Sequence, residues 1–346
     1  MSKTLCPACD NAATISISSK DRKGLYLNTV LCERCGHVFN DPIPTAAEVA
    51  TFYAVDYRVV YKGSKTPRAR QVARNFDRAE QFWRRWGHLL GRGSRILDVG
   101  AGSGEFLYLA QGLGFDASGI EPNEGYAAYC REKLGLRVET ARIDQLSSDD
   151  ITYDFIRLNH VLEHLPDPLG ALKRLRNMLS PDGLIYVEVP NVVGYARARS
   201  RGRMFHYGHI SNFSPWTLRA VAGRAGLEEY PDCVIEQVDQ TATFFRTCDP
   251  VDADCAVKES NAAVVRSAID LHYASSNAVL KTALKILRKF ITRFRETITA
   301  GKVLGSVQAI GNQHLDRLRP SMQFSVLRAE EEESDGGNHN RQQQTL

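Results

Sequence analysis

Ile96-Leu97-Asp98-Val99-Gly100-Ala101-Gly102-Ser103-Gly104-Glu105-Phe106 reads as an apolar strand that runs into glycines at every second position and then into a helix. Glycines so placed let a ligand approach the backbone at the carboxyl edge of a parallel sheet. Around this stretch, from Ser94 to about Cys248, strand-like and helix-like runs alternate. The strand candidates are Arg95–Val99, Asp116–Glu121, Tyr153–Asn159 and Leu184–Val189, with Thr241–Thr247 as a β-branched and aromatic closing strand. Such alternation predicts an α/β fold with a doubly wound parallel sheet. Ser214-Pro215 supplies an N-cap and a proline at N1, opening a helix that ends near Gly226.

The residues around the glycines select the ligand. A phosphate-cradling loop would need Gly-Lys-Ser/Thr where Gly104-Glu105-Phe106 stands. A dinucleotide fingerprint would need glycine at Glu105, and a carboxylate at the helix N-terminus repels a pyrophosphate seeking the same dipole. A phosphate-free ligand with a positive centre suits the turn, and S-adenosylmethionine has that chemistry. Glu121, at the end of the next strand, can accept hydrogen bonds from two ribose hydroxyls; the plainer alternative is a surface carboxylate opening a helix at Pro122.

Cys6-Pro7-Ala8-Cys9 and Cys32-Glu33-Arg34-Cys35 are two CxxC knuckles. Each can present two thiolates to one tetrahedral ion, and four thiolates leave no open position for substrate. Cys6, Cys9, Cys32 and Cys35 are therefore the expected ligands of a structural zinc. Thr14–Ser18 and Leu25–Leu31 form the facing strands of a ribbon over residues 1–45. Cys130, Cys233, Cys248 and Cys255 lack ligand spacing and read as core or surface thiols.

The 346 residues have a hydrophobic content of 43% and a net charge of +4, which does not argue for nucleic acid. No apolar leader or membrane-length run is seen, so a cytoplasmic, reducing setting is expected. Residues 46–92 interleave aromatic and basic side chains and read as a helical connector or cover. Residues 93–250 hold the α/β domain, 251–328 a helical C-terminal segment and 329–346 a disordered tail. Within 276–302, Leu280, Leu284, Leu287, Ile291, Phe294 and Ile298 follow coiled-coil spacing among basic residues. That stripe packs on its own domain or on a second subunit, or else lies on a membrane surface near lipid-linked glycans.

The motifs "LDVGAGSGEF", "GIEPN", "YDFIRLNHVLEHLPDP", "LSPDGLIYVEVPN" and "GHISNFSPWTL", over roughly residues 90–248, resemble the class I S-adenosylmethionine-dependent methyltransferases and their Rossmann-like sheet. The resemblance implies that Asp98, Gly100, Gly102 and Gly104 shape the methionine pocket and that Glu121 holds the ribose. It places Asn159 or His160 beside the cofactor and an acidic residue, Asp144, near the adenine. With its ribbon, the chain resembles the bacterial sugar methyltransferases that act on nucleotide-linked sugars. In that branch a "YHEH"-like loop bears the base and a cover tyrosine enters the site. His206-Tyr207-Gly208-His209 matches the loop at its final histidine, His206 standing for the tyrosine and Gly208 for the glutamate; Tyr57 and Tyr61 are the cover candidates. The implied acceptor is a sugar or glycan intermediate, methylated on oxygen or carbon, with His209, His206 and Tyr61 as catalytic candidates.

His160-Val161-Leu162-Glu163-His164 also matches the H-x-x-E-H pattern of a zinc peptidase, which requires a continuous helix. A strand entering at Asp154–Asn159 and prolines at 166 and 168 argue against that helix. An RNA methyltransferase that grips nucleic acid through the ribbon is the alternative function, and a non-catalytic scaffold is a third; Lys20, Arg22 and Lys23 are the ribbon's basic residues.

Overall fold

The structure, a computed structural model, describes residues 4–52, 67–146, 151–198, 204–231, 233, 235–236, 239–252, 260–274 and 307–336. Tyr57, Tyr61, Cys255 and the basic stripe 276–302 lie outside the described residues.

A mixed α/β Rossmann-like sheet forms the centre. Its strands β4 (Arg95–Val99), β5 (Asp116–Ile120), β6 (Val138–Glu139), β7 (Tyr153–Asn159) and β8 (Leu179–Pro190) are parallel in the order β6-β5-β4-β7-β8. Two further strands, β10 (Leu227–Glu229) and β12 (Gln240–Thr247), extend the edge beside β8, and β11 (Ile235–Glu236) pairs with β12. The closing strand β12, whose direction the sequence left open, runs antiparallel to β8, with Thr241 opposite Val189 and Phe244 opposite Tyr186. An antiparallel strand can follow after a short return, whereas a parallel one needs a crossover helix.

Both sheet faces are covered. Ile96, Phe155, Leu184 and Phe244 face α2 (Ala69–Trp86), α3 (Glu105–Gly112) and α4 (Glu124–Leu134). Leu97, Val99, Ile156, Leu158, Ile185 and Val187 face α5 (Pro168–Arg176) and α7 (Pro215–Arg224). The alternation of neighbours between two cores is the period-2 signature of a doubly covered sheet. On α2, Val72, Phe76, Ala79, Trp83 and Trp86 recur every three or four residues and make one buried face. Trp83 stacks on Phe106 and Phe115, with centroids 4.8 and 5.0 Å away.

The ribbon strands β1 (Thr14–Lys20), β2 (Tyr26–Cys32) and β3 (Val38–Asn40) are antiparallel, and β9 (Ser211–Asn212) completes their sheet from far downstream. The short α1 (Ala46–Thr51) is closed by a capping box between Thr45 and Glu48.

The C-terminal helices pack in two separate places. α8 (Ser260–Ala274) lies against the ribbon and α6 (Val192–Ala198) through Ala262, Val265, Ala268 and Ile269. The last helix, here α9 (Val307–Gly336), crosses α2 and α3, with Leu315 against Gly112 and His314 stacked on Phe76 at 5.4 Å. It remains helical through Gly336, past Ala329, where the sequence predicted a disordered tail; consecutive glutamates are good helix formers. Residues 337–346 are not among those described. No described helix is long and apolar enough to cross a membrane.

Candidate active site

The glycine turn sits at the carboxyl end of β4. Gly100, Gly102 and Gly104 all take positive φ (76°, 58° and 85°), which side-chain-bearing residues avoid. A Cβ at Gly100 would come within 2.6 Å of Val161, and one at Gly104 within 2.6 Å of Leu136. At Gly102 the nearest atom to such a Cβ is a backbone oxygen 4.0 Å away, so the middle of the turn is open. Glu121, just past β5, is buried and accepts the Gly102 N–H through Oε2 and the Asn123 N–H through Oε1, both at 2.9 Å.

Asp98 lies fully buried in β4 and pairs through Oδ1 with Arg157 of β7 at 2.8 Å. Burial raises its carboxyl although Arg157 opposes the shift. Asp98 Oδ2 and Asn159 Oδ1 are buried without a hydrogen-bond partner in the structure. Orphaned acceptors of this kind are costly unless a ligand or water completes them. The fit to S-adenosylmethionine therefore has a local basis: a bare turn, two acceptors awaiting donors and a carboxylate on the neighbouring strand. Glu105, at the head of α3, is also buried; it takes the Ser103 hydroxyl at 2.6 Å, and burial pushes its carboxyl up to about 7. Asp144 behaves differently, since its exposed carboxylate is gripped by the Arg142 guanidinium at 2.9 and 2.8 Å.

The strand β7 ends at Asn159, and His160 turns the chain with φ 55°. Residues Leu162–His164 form a single 3-10 turn, so the H-x-x-E-H segment makes no peptidase helix. The His160 ring is engaged on both sides: Nδ1 lies 3.2 Å from Glu163 Oε1 and Nε2 3.4 Å from Glu188 Oε1. Burial disfavours its charge, but the two carboxylates win and push it up to about 9, while Glu188 falls to about 2. Tyr186 donates its hydroxyl to Glu188 at 2.6 Å. His160 is thus a cation held by carboxylates.

Across from it, the His206–His209 loop brings two more imidazoles. The ring centroids of His206 and His209 are 3.9 Å apart, and His164 meets His209 at 4.9 Å. Burial and the surrounding imidazoles lower His209 well below the ordinary histidine range, so it is neutral at pH 7. Val161, next in the chain to His160, lies against the Gly100 turn. A cavity of about 640 Å³ opens beside the loop, walled by Leu25, Tyr26, Leu27, Phe52 and Tyr207.

The ribbon carries four free, buried cysteines. Cys6 Sγ lies 3.6 Å from Cys35 Sγ, and Cys9 Sγ 3.6 Å from Cys32 Sγ. A tetrahedron with zinc–sulfur bonds of about 2.3 Å has sulfur–sulfur edges of about 3.8 Å, so the group fits one ion. Asn11 and the His37 N–H point at Cys32 and Cys35 sulfurs, as donors to thiolates do. The same ribbon clasps the histidine loop. Asn40 donates to the carbonyls of Tyr207 and His209, Arg22 N–H to Phe205 and His37 pairs with Ser211 at 3.1 Å.

Of the residues singled out in the sequence, Asp98, the three glycines, Glu121, Asn159 and His160 gather at one sheet edge, and His206 and His209 face that edge. Asp144 is paired with Arg142. Arg157, Tyr186 and Glu188 were missed, and Glu163 and His164 were noted only within the H-x-x-E-H pattern. Arg157 and Glu188 had a signal, since charged residues inside strands buried on both faces need partners.

Residues 68–230 match the family model described as a methyltransferase domain, and this part of the chain is a class I S-adenosylmethionine-dependent methyltransferase domain. The ubiquinone biosynthesis O-methyltransferase of Bordetella avium is 28% identical over 155 residues, covering 40% of this chain and 63% of that protein. The protein of the same name from Alkalilimnicola ehrlichii is 32% identical over 108 residues, covering 29% and 42%. The chain thus spans about half the length of the curated relatives it matches. Among solved structures, the 1,6-didemethyltoxoflavin-N1-methyltransferase of Burkholderia thailandensis, bound to its substrate and S-adenosylhomocysteine, is 19% identical with a TM-score of 0.46, covering 62% of this chain and 96% of that one.

Proposed function

We propose that the protein transfers the methyl group of S-adenosylmethionine to a hydroxyl oxygen of a small acceptor, a nucleotide- or lipid-linked sugar. The observation that carries this is the meeting, through Val161 and Gly100, of an open glycine turn with a group of neutral and charged imidazoles. S-adenosylmethionine supplies an electrophilic methyl on a sulfonium. The chain's residues bind and orient it, exclude water and handle the acceptor proton.

Glu121 holds the ribose hydroxyls, exchanging its bond to the Gly102 N–H for theirs. Asp98 Oδ2 and Asn159 Oδ1 take ammonium donors, and Gly100, Gly102 and Gly104 give the methionine moiety room against the backbone. His209, neutral and packed against two other imidazoles, meets the acceptor hydroxyl, and His206 beside it receives the hydroxyl proton. Cys6, Cys9, Cys32 and Cys35 hold a structural zinc in a reducing, cytosolic setting. Residues 1–45 are then the ribbon, 46–92 the cover and 93–250 the methyltransferase domain.

The sugar acceptor rests on the resemblance of the ribbon and of the His206–His209 loop to the sugar-methyltransferase branch. Support for oxygen as the atom methylated comes from the relatives' printed activity. Incubation with methyl-labelled S-adenosylmethionine and separate pools of nucleotide sugars, lipid-linked glycans, hydroxyquinones and RNA tests both. Label should enter a carbohydrate pool in a base-stable ether. Label confined to hydroxyquinone or to RNA would overturn the acceptor.

A further inference from the structure

Glu163, His164 and His209 each turn a ligand atom toward the others, and these atoms all lie within 4.8 Å of one another. Glu163 Oε1 is 3.8 Å from His164 Nε2. Two imidazoles and one carboxylate from a 3-10 turn and the facing loop have no need to converge for packing alone. We propose that they form a second, non-cysteine metal site, which takes an imidazole-preferring divalent cation such as zinc or cobalt and presents it to the acceptor.

The surroundings carry the features such a site needs. Glu163 is 1% exposed, and its Oε2 has no hydrogen-bond partner. His160 meets only Oε1, and a buried carboxylate oxygen without a donor is costly, so a second cation at Oε2 would complete it. His164 donates its Nδ1–H to the carbonyl of Gly208. That bond leaves Nε2 as the ring atom facing Glu163, and it is the support that metal-bound imidazoles generally show. Glu163 is fixed in turn by His160, and His160 by Glu188. Three protein ligands leave a coordination position open, as in catalytic rather than structural zinc sites. Magnesium or calcium would instead ask for oxygen ligands throughout.

The site deepens the methyl-transfer reading and rests on it for its chemistry. An acceptor hydroxyl on the open position becomes more acidic. Its proton passes to His206, whose ring lies 3.9 Å from that of His209. The oxygen then bonds to the methyl carbon, the carbon–sulfur bond breaks, and its electron pair stays on sulfur as S-adenosylhomocysteine leaves. No electrons are exchanged with the metal.

The full-length chain, stripped of metal and titrated with cobalt(II), tests the proposal. The wild type should take up about two cobalt ions per chain. One set of bands should show thiolate-to-cobalt charge transfer, and a second, weaker ligand-field set should lack it. Glu163→Gln and His164→Gln should keep the thiolate bands and weaken the second binding by at least about tenfold. Uptake of about one ion with a purely thiolate spectrum, or unchanged second binding in both variants, would overturn the site. Should the variants misfold, the cobalt-loaded wild type still decides, because paramagnetically shifted imidazole N–H resonances are expected and their absence sinks the proposal. Calorimetric binding of S-adenosylhomocysteine is measured in parallel. Its loss in the wild type would refute the methyl-transfer reading while leaving the metal result standing.

Discussion

Asn40, the last residue of β3, donates its side-chain amide to the carbonyl oxygen of His209 at 3.2 Å, and to that of Tyr207 at 3.3 Å. One amide from the ribbon thereby fixes the backbone on both sides of Gly208. The imidazoles on that loop owe their positions to a part of the chain outside the Rossmann-like sheet.

Replacing Asn40 by alanine should leave those carbonyls without their donor and cost about 1–3 kcal/mol of stability. Methyl transfer should fall, with kcat affected more than the affinity for S-adenosylhomocysteine. Thermal unfolding and calorimetry measure the two; an unchanged kcat would separate the brace from the chemistry.

Treatment with a chelator, or Cys9→Ser, should unpin β3 and with it β9. Faster hydrogen exchange at Phe39 and Ser211 is the expected signature, with the amides of β4 and β5 unaffected. Uniform protection across both sheets would show that the cysteines fold without an ion.

Glu121→Ala removes the acceptor of the Gly102 and Asn123 N–H groups. S-adenosylhomocysteine should bind at least about tenfold more weakly, a change of about 1.4 kcal/mol. Equal affinity in wild type and variant, read by calorimetry, would remove Glu121 from the ribose site.

Glu105 gives the protein a pH dependence. Its carboxyl is raised by burial from 4.5 to about 7 in the fold, so between those values the folded state keeps a proton that the unfolded state has lost. Its stabilising contribution is complete below about pH 4.5 and is lost as pH rises through about 7, by roughly 3 kcal/mol in all. Glu105→Gln should flatten the thermal midpoint between pH 5 and about 8. A slope equal to that of wild type would show that the carboxylate is ionised throughout.

The central sheet was legible because strands covered on both faces are short apolar runs, and Arg95–Val99 and Tyr153–Asn159 have the limits expected. The pairing of β12 was not, since Thr241–Thr247 reads the same in either direction. The cysteine cluster was visible in spacing alone. The clasp between Asn40 and His209 left no trace, as nothing local in either segment specifies a partner so distant in sequence. His160 was found, but its charge was not, because that depends on Glu163 and on Glu188 in the adjoining strand.

The contribution of Ser211–Asn212 to the amino-terminal sheet also bears on how such proteins can be recombined. A ribbon exchanged as a cassette, cut after residue 45, would arrive missing its edge strand and would leave behind a loop shaped for its predecessor. Swaps should succeed only when both segments travel together, which makes the two a single unit of inheritance despite their separation along the gene.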